Sequence, residues 1–339
     1  MSVLPIRTSR LSLRVMRLAD AEVLASYRNL PDVARYQDWP MPFDLEQARR
    51  ALGGQDLDDD VSPGGWTQIA IEHEGEVVGD LALGLSHPGI AHLGYTLAPQ
   101  HHGKGFAREA AGALVDAVFA RTDVHRVVAT LDPENHASMR VVEQLGFRYE
   151  GIARASEPIR GEWLDDMRFA LLRSDRAEWL RRPTSTEQVE LVEVTHHNLA
   201  AVSALETHRF QRRFVAPMER NLAQALVPPE VMPGHLAVPW YRAVVADGEV
   251  VGFVLVSAVS EVEPHPFVWR LLIDRMHQRR GVGTRTIAAL ATHFRADGAS
   301  ELRLGFNDGP GSPRRFYERL GFVPTGELDG DEVIARLAL

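Results

Sequence analysis

Two hexapeptides carry glycines at a spacing that suits a phosphate. Gln100-His101-His102-Gly103-Lys104-Gly105 and Gln278-Arg279-Arg280-Gly281-Val282-Gly283 both read Gln-x-x-Gly-x-Gly, each between a strand-like run and an Ala-rich helical one. Glycines let the backbone bend towards a ligand, successive N–H groups converge, and a positive helix N-terminus favours an anion, most naturally a pyrophosphate. One such loop alone is equally a strand-to-helix turn without a ligand; two in the same context point to binding. The dinucleotide fingerprint fails because neither loop has its third glycine, and no Gly-x-x-x-x-Gly-Lys-Ser/Thr segment occurs. Other chemistries lack their residues. There is no cysteine and no Gly-x-Ser-x-Gly elbow, and His101-His102 and His196-His197 are adjacent pairs whose side chains do not share one face, so no metal is expected.

The elements around the loops recur. Leu93-Gly94-Tyr95-Thr96-Leu97 precedes the first, and His125–Thr130 and Leu145-Gly146-Phe147 follow; Trp269–Ile273, Glu301–Leu304 and Leu320-Gly321-Phe322 stand in the same order around the second. The loops lie 178 positions apart (100 to 278) and the Leu-Gly-Phe triplets 175 apart (146 to 321), which small insertions would explain. Upstream, His73-Glu74-Gly75 and Asp247-Gly248 each separate two alternating runs, as hairpin turns do. Each unit therefore reads as an α/β fold, a mixed and mostly antiparallel sheet flanked by helices. The Arg181-Arg182-Pro183-Thr184 stretch breaks a helical run, giving predicted domains 1–183 and 184–339.

Composition limits the partners. A chain of 339 residues, 45% hydrophobic and 24% charged, is globular and long enough for two domains. Its net charge of -9 has the wrong sign for nucleic acid binding through the overall field. No window approaches the roughly 20 apolar residues of a membrane span, and the N-terminus has no long apolar signal region, so a cytoplasmic location is expected. Oligomeric state is not readable.

The loops with their flanking elements resemble the GNAT superfamily of acetyl-coenzyme A-dependent N-acetyltransferases, twice in one chain. The resemblance implies acetyl-coenzyme A as cosubstrate. It places Gln100, Gly103, Lys104, Gly105 and Asn135 of the first unit at the coenzyme, with Ile273, Gln278, Arg279, Arg280, Gly281, Val282 and Gly283 of the second. It also implies a bulged strand ahead of each loop. Arg10–Arg14, Asp132–Ser138 and Gly161–Asp166 make the first half similar to the ribosomal-protein N-terminal acetyltransferase-like branch. Phe214–Pro217, Leu222–Ala225 and Trp269–Asp274 make the second similar to bacterial polyamine acetyltransferases.

Acetyl transfer needs a neutral amine, an oxyanion partner, a base within reach and an acid for the departing thiolate. Tyr317, four residues before Gly321, is where the family places its tyrosine acid; otherwise it is a core aromatic. Val142 fills that position in the first unit, where Ser138 is the substitute hydroxyl; Asn135 and Ser138 are equally readable as helix caps. Glu261, Glu263 and His265 are candidate bases of the second unit and His92 of the first. The acidic run Asp56–Asp60 either walls an amine site or is a solvated loop. The expected activity is acetylation of a primary amine, a small amine or polyamine, with the second unit favoured as catalyst for its Tyr317. Alternatives are a protein N-terminal or aminoglycoside acetyltransferase carried by the first unit, and a coenzyme A-binding module with one degenerate unit.

Overall fold

The computed structural model describes residues 2–53, 55, 60–309 and 311–339, so most of the acidic run, 56–59, lies outside the described residues. The chain divides into two compact units, Met1–Arg181 and Arg182–Leu339, each with its own large mixed sheet.

In the first unit, β1 (Ile6–Arg7) and β2 (Ser12–Val15) lead to the helices α1 (Ala21–Arg28), α2 (Pro31–Ala34) and α3 (Leu45–Leu52). A meander follows, β3 (Trp66–His73), β4 (Glu76–His87) and β5 (Ile90–Leu97), and α4 (Phe106–Arg121) crosses to β6 (Arg126–Leu131). The unit closes with α5 (His136–Gln144), β7 (Arg148–Ile159), β8 (Glu162–Leu172) and α6 (Arg173–Arg181). The sheet order is β1-β2-β3-β4-β5-β6-β8-β7, antiparallel except between β5 and β6.

The second unit repeats the plan. It runs β9 (Val189–Val192), α7 (Leu199–Ser203), α8 (Met218–Leu226), a small ribbon of β10 (Glu230–Met232) and β11 (His235–Leu236), then β12 (Pro239–Ala246), β13 (Glu249–Ser257) and β14 (Phe267–Ile273). There follow α9 (Val282–Ala296), β15 (Glu301–Asn307), α10 (Arg314–Arg319), β16 (Val323–Asp329) and β17 (Glu332–Ala338), in sheet order β16-β17-β15-β14-β13-β12-β9. Only β14 and β15 are parallel.

Local chemistry accounts for the elements. Glu74-Gly75 (φ 53° and 86°) and Asp247-Gly248 (φ 52° and 85°) make left-handed two-residue turns, whose twist matches that of the flanking strands. β13 is apolar on both faces because both are covered: Val251, Val254 and Val256 pack towards α9, while Phe253 and Leu255 pack towards α7 and α8. Ala110, Ala111, Leu114, Val115 and Val118 give α4 its buried side.

The parallel pairs position the site. β5 meets β6 only through Ile90, Ala91 and His92, and β14 meets β15 only through Phe267 and Val268. Beyond those residues the strands diverge, so Leu93–Leu97 stay bonded to β4 on one side and have no strand on the other. Backbone N–H and C=O groups along that edge are open to an extended ligand.

Candidate active site

Each glycine loop turns through two left-handed residues and then opens a helix. In the first unit these are Gly103 (φ 75°) and Gly105 (φ 80°), with α4 beginning at Phe106. In the second they are Arg279 (φ 63°) and Gly281 (φ 85°), with α9 beginning at Val282. Gly105 therefore corresponds to Gly281 and Gly103 to Arg279, which puts His102, rather than Gln100, in the place of Gln278. The hydrogen bonds agree: His102 Nε2 lies 2.9 Å from Leu97 O, and Gln278 Nε2 donates to Ile273 O at 3.0 Å, each carbonyl ending its strand. The matching spelling of the two hexapeptides thus misaligned them by two residues. The corrected offset, 176 (105 to 281), is within one residue of that between the Leu-Gly-Phe triplets.

Several side chains named for the coenzyme are otherwise engaged. Gln100 is exposed in the turn Pro99–His101. Arg280 is buried, paired with Asp247 at 2.7 Å and bonded to Ser185 O at 3.3 Å, so only its backbone can face a ligand. Val282 is core, and a Cβ on Gly283 would lie 3.2 Å from Phe316, a helix-packing contact. Ile273 packs against the second unit's core. Lys104 is exposed, its carbonyl accepting from Arg10 Nη1 at 3.0 Å. A Cβ on Gly103 or Gly281 would meet nothing within 4 Å, so the bend of each loop has open space before it at a helix N-terminus. That arrangement fits a pyrophosphate, and the open strand edge beside it fits an amide-bearing arm.

The open edges differ. β14 carries a bulge at Trp269, whereas the irregularity in the first unit lies on β4 between Gly84 and His87, leaving β5 regular from His92 to Leu97. Asn135 caps α5 by accepting Ser138 N–H at 3.1 Å, and the Ser138 carbonyl accepts the Tyr95 hydroxyl at 2.8 Å. Burial raises the Tyr95 pKa well above its ordinary value. Tyr317 packs among Phe306, Phe316 and Phe322; burial, then the charge of Glu332, pushes its pKa up to about 12, so the phenol keeps its proton. Val142 is fully buried.

A cavity of about 430 Å³ opens in the first unit where β5 and β6 part, lined by His92–Thr96, Val128, Thr130 and Leu131. Tyr36, Trp39 and Trp66 supply aromatic surface, and six carboxylates face one guanidinium: Asp38, Asp80, Asp132, Glu157, Asp165 and Asp166 against Arg28. Asp80 is neutralised, pairing with Arg28 at 2.5 Å and accepting the Tyr27 hydroxyl at 2.6 Å. Arg28 lies over the Trp39 ring at 4.5 Å. Its Nε and the Trp39 Nε1 are buried donors without a partner among the described residues, groups that a ligand or water would satisfy. Burial, then repulsion from Glu157, raises the pKa of Asp166, whose carboxylate accepts a hydrogen bond from the Leu131 backbone. Apart from His92, sequence reasoning passed these residues over as site groups. Asp80 had a visible signal, a charge inside the apolar run Val77–Ala82; Asp165-Asp166, expected ahead of the last strand, lie within β8.

The second unit does not gather its candidate groups. Glu261 is exposed, while Glu263 accepts the Ser257 hydroxyl and lines a separate cavity of about 360 Å³ with His265, Phe267 and Arg303. That cavity lies at the paired end of β14 and β15. Tyr317 packs on Phe306, whose strand alternation puts it on the opposite face from Arg303. Among the described residues no cluster could hold a metal ion, and no helix is long and apolar enough to cross a membrane.

Residues 10–148 match the acetyltransferase (GNAT) domain, and residues 206–322 the acetyltransferase (GNAT) family. The uncharacterized N-acetyltransferase p20 of Bacillus licheniformis is 34% identical over 175 residues, 50% of this chain and 97% of that protein. The [ribosomal protein uS5]-alanine N-acetyltransferase of Escherichia coli is 33% identical over 84 residues, 25% of this chain and 43% of that one. The spermidine N(1)-acetyltransferase of Vibrio cholerae is 32% identical over 78 residues, 23% of this chain and 45% of that one. The chain spans less than half the length of these last two.

Proposed function

The chain belongs to the GNAT acetyltransferase family through both of its units, and we propose that the first unit acetylates a small cationic amine, using acetyl-coenzyme A. The observation that carries this reading is the acidic, aromatic-walled cavity opening onto the unpaired edge of β5. Reading Tyr317 alone favoured the second unit; the cavity moves the proposal to the first.

The coenzyme thioester supplies the activated acetyl group. The loop at Gly103–Gly105 and the N-terminus of α4 hold its pyrophosphate, and the β5 edge holds its arm through backbone groups. Carboxylates at the mouth draw in the protonated amine, and Tyr36, Trp39 and Trp66 offer ring faces to it. Asp166, inside the cavity, takes the proton that the amine must lose before attack. The Ser138 hydroxyl, at the start of α5, hydrogen-bonds the leaving thiolate and relays a proton to it from solvent, so that the hydroxyl ends the step protonated. A small polyamine suits five carboxylates that Arg28 does not neutralise; the relatives acting on spermidine and on a ribosomal-protein alanine mark the two acceptor classes to compare.

Thiol release from acetyl-coenzyme A with a panel of diamines, polyamines and alanine-terminated peptides tests the reading. Asp166→Asn should lower turnover of the preferred amine about 10²-fold while coenzyme affinity persists. Undiminished turnover removes Asp166 from the chemistry, and a panel in which no cationic amine reacts removes the function.

A further inference from the structure

The outer wall of the acidic cavity is the tip of a hairpin. Glu157 and Ile159 of β7 and Leu164–Asp166 of β8 line it. The ladder below the tip is interrupted between Ala153 and Glu157, where Ala155 is left-handed (φ 46°) and gives its N–H to Asp165 Oδ1 at 2.9 Å. A bulge of this kind bends the ribbon and re-aims what lies beyond it. Past the bulge, only three pairs, Glu157 with Leu164, Pro158 with Trp163 and Ile159 with Glu162, hold the two strands together.

The turn at the end, Arg160-Gly161, has φ 51° and 88°. Glycine, asparagine or aspartate is the usual first residue of such a turn, and a left-handed arginine costs roughly 1–2 kcal/mol. The guanidinium accounts for the choice. Arg160 Nη2 donates to Ala34 O at 2.6 Å, a carbonyl that also accepts the Gln37 N–H at 3.1 Å, and to Gln37 O at 3.3 Å, just past the end of α2. Gln37, with Tyr36, Asp38 and Trp39, lines the facing wall of the same cavity.

We propose that Arg160 is a latch that sets acceptor size: by fastening the hairpin tip to the segment after α2, it confines the cavity to short amines and excludes extended peptides. The proposal rests on the acceptor reading of that cavity. Arg160 is a positioning residue, remote from the reacting atoms.

Arg160→Gly tests it in the full chain, because glycine removes the latch while favouring the turn. Arg160→Lys keeps a cation that can reach one carbonyl. In Arg160→Gly, amide exchange across residues 157–164 should quicken about tenfold or more, with the rest of the first unit unchanged. The kcat/KM for an alanine-terminated tripeptide, relative to that for 1,4-diaminobutane, should rise about tenfold, mainly through a lower peptide KM, with kcat for the diamine nearly constant. Arg160→Lys should fall between. Unchanged exchange overturns the latch, and faster exchange with an unchanged ratio overturns its control of acceptor size. If wild type acetylates neither probe yet the variant exchanges faster, the latch stands and the amine reading of the cavity falls.

Discussion

Asp166 is placed where two demands conflict. A proton acceptor in a closed cavity must be desolvated, and desolvation, with Glu157 nearby, raises its pKa. Between the ordinary carboxyl value and the raised one, the folded chain binds more protons than the unfolded chain, so this group makes stability fall as pH rises. Asp166→Asn removes that cost and keeps an oxygen for the Leu131 N–H. The variant should melt above wild type at pH 7, with the gain vanishing below pH about 4, where an ordinary carboxyl is protonated in both states. Scanning calorimetry at both pH values checks it, and a lower melting temperature at pH 7 would make Asp166 a structural residue. Asp80 is the opposite case. Its charge is paired with Arg28 inside the protein, so Asp80→Asn, which strands the guanidinium, should cost about 3–5 kcal/mol in urea unfolding. A single sequence shows Asp80 inside a strand-like run and Asp166 just ahead of one; which one is paired depends on helix α1 arriving from 52 residues upstream.

At the scale of elements, strand and hairpin periodicity was readable because it is local, whereas the alignment of the two glycine loops was not. His102 and Gln278, an imidazole and an amide, reach equivalent strand-end carbonyls, and Arg279 holds a backbone conformation that glycine holds in the first unit. Letters alone favoured the wrong glycine pair. The open strand edges likewise follow from where a parallel ladder stops, which no pattern in β5 or β14 announces. A repeated pair, Val78-Gly79 and Val251-Gly252, marks the corresponding strands of the two units. A Cβ on Gly252 would lie 2.5 Å from Leu272 O, and one on Gly79 would collide with Thr96 O, so glycine lets β13 and β4 sit tightly against the strands whose far edges are open. Gly252→Ala should therefore destabilise the second unit by about 1–3 kcal/mol through overpacking against backbone. A shifted urea midpoint at constant slope would show it, and an unchanged midpoint would mean that β13 and β14 can part at no cost.

Across the whole molecule, charge is shared without strong bias: residues 186–339 carry 16 basic and 19 acidic side chains, leaving 21 and 27 for residues 1–185. For the proposed cationic acceptor the overall field is thus not selective, and the proposal assigns selection to the local carboxylates of the first unit's cavity. The two loops allow that division to be tested without cutting the chain. Gly105 and Gly281 hold equivalent left-handed positions at their helix starts, so an aspartate at either adds strain and a negative charge where a pyrophosphate is expected. If both loops bind coenzyme A, calorimetry should give two sites per wild-type chain and one in each of Gly105→Asp and Gly281→Asp. Turnover of the preferred amine should then fall about 10²-fold or more in Gly105→Asp and stay within about twofold in Gly281→Asp, because only the first loop serves the acidic cavity. The reverse pattern would return catalysis to Tyr317 and the second unit. Equal losses in both variants, with each still folded, would mean that the units cannot be assigned separate roles by their loops.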